Sequence, residues 1–247
     1  MNITGLDPGI LLPAFAAGLL VLATHVPLGM AVLKRGIVFL DLAIAQIAGL
    51  GVVVVHAWAG DEASTWLTQA GAVTAALVGA LFLHWMEKKA PQRQEAIIGV
   101  VFAAAACASL VLMSRDPQGA EQLQDLLIGQ ILWTTWPSLQ PLVAITGVVL
   151  VAWFGSRGQE SSLVFYLLFA VTITASVQLV GIYLVFASLI VPALTAEGRL
   201  GRGYLLGAAG YGLGLAASGM LDLPAGAAIV LAMAVIAATA AYLGTKP

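Results

Sequence analysis

The sequence is poor in charge and in cysteine, and both shortages exclude classes of protein. Lys, Arg, Asp and Glu make up 9% of its 247 residues, whereas a soluble domain carries about a quarter. The single cysteine excludes an intrachain disulfide and a cysteine-based metal framework. The net charge of −2 gives no indication of a nucleic-acid partner. With 61% hydrophobic residues and a mean hydropathy of +1.00, the chain is predicted to be an all-α polytopic membrane protein.

Sequence motifs that mark soluble catalytic sites are also missing. The chain contains no HExxH, CxxC or GxSxG pattern and no dense cluster of His, Asp and Glu. It also lacks the GxxxxGK[ST] loop that binds nucleotide phosphates. The chain is therefore not predicted to be an enzyme, and no tightly bound cofactor is expected. The N-terminus has no basic region before its first apolar run, so the first helix is expected to remain in the mature protein.

Long apolar runs, separated by short polar interruptions, predict about nine transmembrane helices in one domain that covers residues 1–247. The division between the sixth and seventh helices, near residues 178–181, has almost no polar residues. The predicted spans lie near residues 10–33, 37–59, 66–86, 95–114, 138–155, 162–178, 180–196, 203–221 and 224–244.

The charges of the predicted loops indicate the orientation. If the N-terminus lies outside, nine of the ten basic residues fall on the inner side, and Arg115 alone lies outside. The outer loops carry acidic residues instead. Because basic loops stay on the cytoplasmic side, we expect an N-out, C-in protein of the bacterial inner membrane, surrounded by lipid.

The segment 118–140 does not read as a span. Its Leu and Ile residues recur near helical spacing, and Trp133 and Trp136 follow them. An amphipathic piece with paired tryptophans is typical of the membrane–water interface, so we expect this segment on the outer side. An ordinary packed loop helix is an equally good interpretation.

Polar side chains at membrane depth are rare in this chain, and they are candidate functional residues because burying them in lipid is costly. Asp41 is the strongest candidate, and Gln46 and His25 are the others. Each has a structural alternative. Asp41 could pair with an arginine or cap a helix, Gln46 could bond to another helix, and His25 could be satisfied inside the bundle. His84, beside Trp85, is expected at the membrane interface.

One apolar run, which starts at Gly181, meets Pro192 near its end and is followed at once by a polar segment. Proline lacks the backbone N–H that a helix interior uses, so a helix break is expected at Pro192. Thr195, Glu197 and Arg199 follow it on the predicted inner side. The alternative is a solvated loop that merely ends the helix.

Four segments occur in a recognisable order along nearly the whole chain. They are PLGMAVLKRGIVFLD, QEAIIGVVFAAAACASLVLMS, VGIYLVFASLIVPALTA and DLPAGAAIVLAMAV. In order and spacing, these segments together resemble the permease subunits of the zinc/manganese/iron ABC importer family. The third and fourth segments together are the most specific part of the resemblance.

The resemblance implies an ABC importer permease fold related to the vitamin B12/metal-chelate type, with two copies of the chain forming a homodimeric translocation path. It implies two partners: a separate ABC ATPase subunit at the inner face and an extracytoplasmic metal-binding solute-binding protein at the outer face. Residues 192–202 would form the coupling helix that docks into the ATPase, with Thr195, Glu197 and Arg199 making polar contacts. The cargo would be a divalent zinc, manganese or iron ion, met in the membrane by Asp41.

The second predicted helix departs from the family pattern. The family usually reads Gly-Asp-x-x-x-His-Ala there. In this chain Asp41 is kept, but Ala45 stands at the histidine position and Gln46 follows it. An amide oxygen in place of an imidazole nitrogen slightly favours harder ions over Zn²⁺.

Two other classes of function are alternatives to an importer permease. An ion-coupled secondary carrier should show inverted halves and charged residues at the membrane midplane. A purely structural membrane subunit would need neither Asp41 nor a polar docking segment. Co-purification of an ATPase would separate all three.

Overall fold

Nine helices of 14 residues or more make up most of the described chain. The computed structural model describes residues 7–60, 63–114, 127–155 and 161–244. The helices are α1 (Pro8–Arg35), α2 (Leu40–Ala59), α3 (Thr65–Lys89), α4 (Gln94–Met113), α5 (Gln140–Gly155), α6 (Ser162–Val180), α7 (Ile182–Thr195), α8 (Leu200–Leu221) and α9 (Ala225–Gly244).

Eight of these helices are long and apolar enough to cross a membrane, which confirms the polytopic all-α prediction. The remaining helix, α7, has 14 residues. It is about 21 Å long at 1.5 Å per residue, short of a hydrocarbon core of about 30 Å. The predicted division between the sixth and seventh spans falls at Gly181, which separates α6 from α7.

Contacts between helix ends agree with alternating chain directions. Near the start of α3, Gln69 donates a hydrogen bond to Gln178, which lies near the end of α6. At the other end of α3, Glu87 accepts a hydrogen bond from Ser162 at the start of α6. The two helices are therefore antiparallel, and the charge pattern assigns the Glu87–Ser162 end to the inner side.

Pro192 does not break its helix, so that prediction was wrong. Helix α7 continues through Pro192 and ends one turn later at Thr195. Proline removes a donor and its ring crowds the carbonyl oxygen of the preceding turn, but packing against a neighbouring helix tolerates both inside a membrane bundle. Here Gly203 and Gly207 of α8 give room to Pro192, since a Cβ atom at Gly207 would lie 3.1 Å from the proline ring.

The polar segment after Pro192 is a short turn rather than a separate helix. Residues 196–198 form the turn, and α8 begins at Leu200. Glu197 and Gly198 both adopt left-handed backbone conformations, with φ of 48° and 80°. The predicted coupling element at residues 192–202 therefore consists of the last turn of α7, this turn and the first residues of α8.

Only part of the predicted interfacial segment, residues 118–140, is exposed at the surface. Residues 115–126 lie outside the described residues. In the described remainder, Trp133 is 81% exposed, as an interfacial residue would be, whereas Ile131 is buried. The backbone at Gly129 packs directly on Gly181, because a Cβ atom at Gly129 would lie 2.3 Å from the Gly181 nitrogen. This part of the segment therefore inserts into the joint between α6 and α7.

Small residues allow α8 to approach its neighbours closely. A Cβ atom at Gly214 would lie 2.3 Å from the Cα of Ile229 in α9, and one at Gly210 would lie 2.5 Å from the Met233 side chain. This spacing of glycines four apart is typical of tightly packed membrane helices.

The substitution Gly214→Ala is expected to destabilise the α8–α9 pair. The added methyl group meets the backbone of Ile229, which cannot rotate away as a side chain would. Overpacking of this kind costs about 2 kcal/mol or more. We expect a lower thermal midpoint of the detergent-purified protein. Gly201→Ala on the same helix is the control, because a Cβ atom there meets nothing within 4 Å; equal midpoints for both variants would contradict the packing argument.

Candidate functional site

Asp41 is fully buried at the start of α2. It is 1% exposed and lies in the first turn of the helix, after Phe39. Neither carboxylate oxygen has a hydrogen-bond partner among the described residues. The backbone N–H groups of Asp41 itself and of Leu42 are nearby, and the helix N-terminus favours a negative charge there.

A second carboxylate lies near the start of α2, where Asp41 also lies. Glu95 occupies the first turn of α4, and its Oε1 accepts a hydrogen bond of 3.2 Å from the backbone N–H of Phe39. Its Oε2 is buried and has no partner among the described residues. Glu95 lies within electrostatic range of Asp41. The packing of α2 against α4 therefore brings two acidic side chains together.

These two side chains form the carboxylate pair, Asp41 and Glu95. Three of its four oxygens lack a donor among the described residues. Burying carboxylate oxygens that have no donor away from water is costly unless a proton or a cation joins them. Oxygen ligands of this kind suit hard divalent ions. The pair is thus able to hold a cation in passing.

The sequence prediction missed Glu95. Its only signal was the acidic residue that opens the segment QEAIIG, at the start of α4. The distance of 54 residues along the chain gives no indication that Glu95 and Asp41 meet, since the meeting depends on how α2 and α4 pack.

Gln46 is also buried on α2, but it does not share a face with Asp41. Five residues turn an α-helix by about 140° and advance it by about 7.5 Å. The side chain of Gln46 is 6% exposed. It lies deeper in the bundle than the carboxylate pair and points to another side of the helix.

His25 is buried in α1 and is held by its own helix. Its Nδ1 lies 2.8 Å from the carbonyl oxygen of Val21 and 3.2 Å from Oγ1 of Thr24. Its Nε2 is buried without a hydrogen-bond partner among the described residues. Across the described ranges, no three or more His, Cys, Asp or Glu side chains form a group that could hold a metal ion. His25 and Asp41 therefore belong to no such preformed cluster.

A polar network joins the inner ends of four helices near the carboxylate pair. The Nδ1 of His84 lies 3.1 Å from Oγ of Ser162 and 3.4 Å from Oε2 of Glu87. Arg35 lies 3.7 Å from the other oxygen of Glu87. Gln94, next to Glu95, donates a hydrogen bond to the Tyr166 hydroxyl. His84 is thus near the inner end of α3 as expected, but its side chain is turned into the bundle.

The residues predicted to couple to a partner differ in their exposure and in their contacts with the rest of the chain. Thr195 is buried, and its hydroxyl donates to the carbonyl oxygens of Val191 and Pro192 in its own helix. Glu197 forms an ion pair with Arg202 across the turn. Arg199 is exposed, and its side chain makes no hydrogen bond or ion pair to the described residues. Of the predicted contact side chains, Arg199 is therefore the most available.

Comparisons with known proteins agree with this architecture. The model of the ABC 3 transport family matches residues 8–159 and 155–243. A solved complex of PsaBC from Streptococcus pneumoniae with a Fab is similar over 97% of this chain and 95% of its counterpart, with a TM-score of 0.72 and 21% identity. An ABC transporter assigned to the metal-chelate type, in an inward-facing conformation, is similar over 94% of this chain and 85% of the transporter chain, with a TM-score of 0.69 and 14% identity.

Two curated relatives match shorter stretches. A Haemophilus influenzae membrane protein assigned to an iron transport system is 26% identical over 145 residues, or 51% of this chain and 51% of the relative. An uncharacterised Cyanophora paradoxa membrane protein is 25% identical over 193 residues, or 67% of this chain and 64% of the relative. The chain thus spans between half and two thirds of the length of these two relatives.

Proposed function

This chain belongs to the ABC 3 transport family of membrane permeases, and we propose that it is the transmembrane subunit of an ATP-driven importer for a divalent transition-metal ion. The observation that carries the proposal is the carboxylate pair, Asp41 and Glu95, whose unpaired oxygens are buried at the inner ends of α2 and α4. A buried acidic pair of this kind attracts a cation and gives it up again, because only two protein ligands hold it.

The ligand set supports a hard metal cargo. Carboxylate oxygens suit harder ions such as Mn²⁺, whereas imidazole suits Zn²⁺ and Fe²⁺. Ala45 provides no ligand at the position of the histidine in the family pattern that this chain resembles. We therefore place Mn²⁺ ahead of Fe²⁺ and Zn²⁺ as the substrate. Gln46 and His25 lie elsewhere along the proposed path and are secondary candidates for contact with the ion.

The proposal requires partners that supply energy and cargo. Because the sequence has no phosphate-binding GxxxxGK[ST] loop, ATP hydrolysis is assigned to a separate ABC ATPase that docks on the inner turn around Arg199. An extracytoplasmic metal-binding protein would deliver the ion at the outer face. A homodimer would place two copies of the path about a twofold axis in the bacterial inner membrane.

The decisive experiment is transport by the assembled complex. The chain is co-expressed with a candidate ABC ATPase from the same genome, purified through a tag on the chain, and reconstituted in proteoliposomes. We expect the ATPase to co-purify and ATP to drive uptake of Mn²⁺ or Fe²⁺. Uptake that follows an ion gradient without ATP would favour a secondary carrier, and an assembled complex without uptake would favour a structural subunit.

A further inference from the structure

A groove opens at the inner ends of α1 and α5, beside the α7–α8 turn. Its volume is about 510 Å³. We call it the inner groove and define it by Lys34, Arg35, Trp153, Phe154, Gly198 and Leu200, which line it. It is separate from the carboxylate pair, since neither Asp41 nor Glu95 is among its lining residues.

The two charged side chains that line the inner groove are basic, and Lys34 has no acidic partner among the described residues. Lys34 is exposed, and its ammonium group makes no hydrogen bond or ion pair to the described residues. Arg35 lies beside it and is held in place on two sides, by Glu87 at 3.7 Å and by the ring of Phe165, whose centroid is 4.3 Å from the guanidinium carbon. The described lining residues include no Asp or Glu. The groove therefore complements an anion.

The remaining wall is apolar and reaches the outer surface of the helix bundle. Phe154 is 52% exposed at the last turn of α5, while Trp153 is buried against Phe165. A ligand with a phosphate and an apolar chain can thus enter sideways from the bilayer, with its phosphate at Lys34 and its chain along Phe154.

We propose that the inner groove binds an anionic phospholipid of the inner leaflet. Basic pockets between transmembrane helices on the cytoplasmic side are suited to such headgroups. The charge pattern of the loops assigns this end of α1 to that side. The apolar wall distinguishes the lipid from a free phosphate ion, which would gain nothing from Trp153 and Phe154. This inference does not depend on the transported substrate.

Lipid titration followed by native mass spectrometry of the full chain tests the site. We expect phosphatidylglycerol to be retained more strongly than phosphatidylcholine. Lys34→Glu replaces attraction by repulsion and should weaken phosphatidylglycerol binding roughly tenfold. Lys88→Glu is the matched control, since Lys88 is an exposed inner-side lysine outside the groove, and it should leave the affinity within about twofold of the unchanged protein.

A photochemical variant locates the lipid even if Lys34→Glu folds poorly. Phe154 is replaced by p-benzoyl-phenylalanine in membranes of mixed phosphatidylglycerol and phosphatidylcholine, and the adduct mass identifies the lipid. We expect adducts enriched in phosphatidylglycerol at position 154, undiminished by excess glycerol phosphate. The same probe at Val151, an exposed position on α5 outside the groove, should capture both lipids in proportion. Equal lipid ratios at both positions, or unchanged phosphatidylglycerol affinity in folded Lys34→Glu, would overturn the proposal.

Discussion

Asp41→Asn and Glu95→Gln are each expected to reduce metal uptake at least tenfold when uptake is measured per assembled complex. Each change removes one of the two negative charges that meet the ion while keeping the side chain's shape. A loss of about 1.4 kcal/mol of cation binding corresponds to a factor of ten. Because the two carboxylates act on one ion, the double variant should be little worse than either single variant.

The choice of amides separates a role in transport from a role in folding. Gln at position 95 still offers a carbonyl oxygen to the backbone N–H of Phe39, so the contact that holds the start of α2 survives. Charge at a helix N-terminus contributes about 0.3–1 kcal/mol to stability, so a small shift in thermal midpoint is expected for Asp41→Asn.

Asp222→Asn is the matched control for an acidic-to-amide change. Asp222 is exposed at the outer end of α8 in a left-handed conformation with φ of 56°, which asparagine also accepts. Uptake by this variant should equal that of the unchanged protein. If Asp41→Asn and Glu95→Gln transport normally, the carboxylate pair is structural. If they lose stability in proportion to uptake, the pair acts through the fold.

Much of the fold follows from the pattern of apolar runs and charges. The predicted spans match the nine helices within a few residues at most ends, and the joint near residues 178–181 falls at Gly181. Glycines four residues apart in α8 are also visible in the sequence, and a Cβ atom at Gly214 would lie 2.3 Å from the Cα of Ile229. These features depend on local composition, which a sequence shows directly.

The sequence did not predict in the same way which face of each helix turns toward the centre of the bundle. In water, an apolar stripe identifies the buried face, but a membrane helix is apolar on the lipid side as well. Nothing in the sequence therefore indicated that Glu95 turns toward Asp41, or that His84 turns inward to Ser162. Pro192 shows the opposite case, in which a local preference is overridden by packing. Its preference is to end the helix, but packing against Gly203 and Gly207 allows α7 to continue through it.

The turn between α7 and α8 is expected to carry the largest effect on coupling, and the structure changes which residue should be tested. Glu197 is engaged with Arg202, so altering it disturbs the turn itself. Arg199 is exposed and is the clean site for charge reversal. If it forms a charged contact with the ATPase, Arg199→Glu should weaken assembly by about 2 kcal/mol, or roughly thirtyfold. Stimulation of ATP hydrolysis by cargo should fall with it.

Arg93→Glu is the control that separates a specific contact from the general field of the inner face. Arg93 is an exposed arginine just before α4, and its reversal changes the net charge by the same amount. We expect it to leave ATPase co-purification nearly unchanged, with a weaker effect at high salt because exposed charges are screened. Equal losses in both variants would mean that the ATPase responds to overall charge. Full coupling in Arg199→Glu would remove the turn from the docking surface.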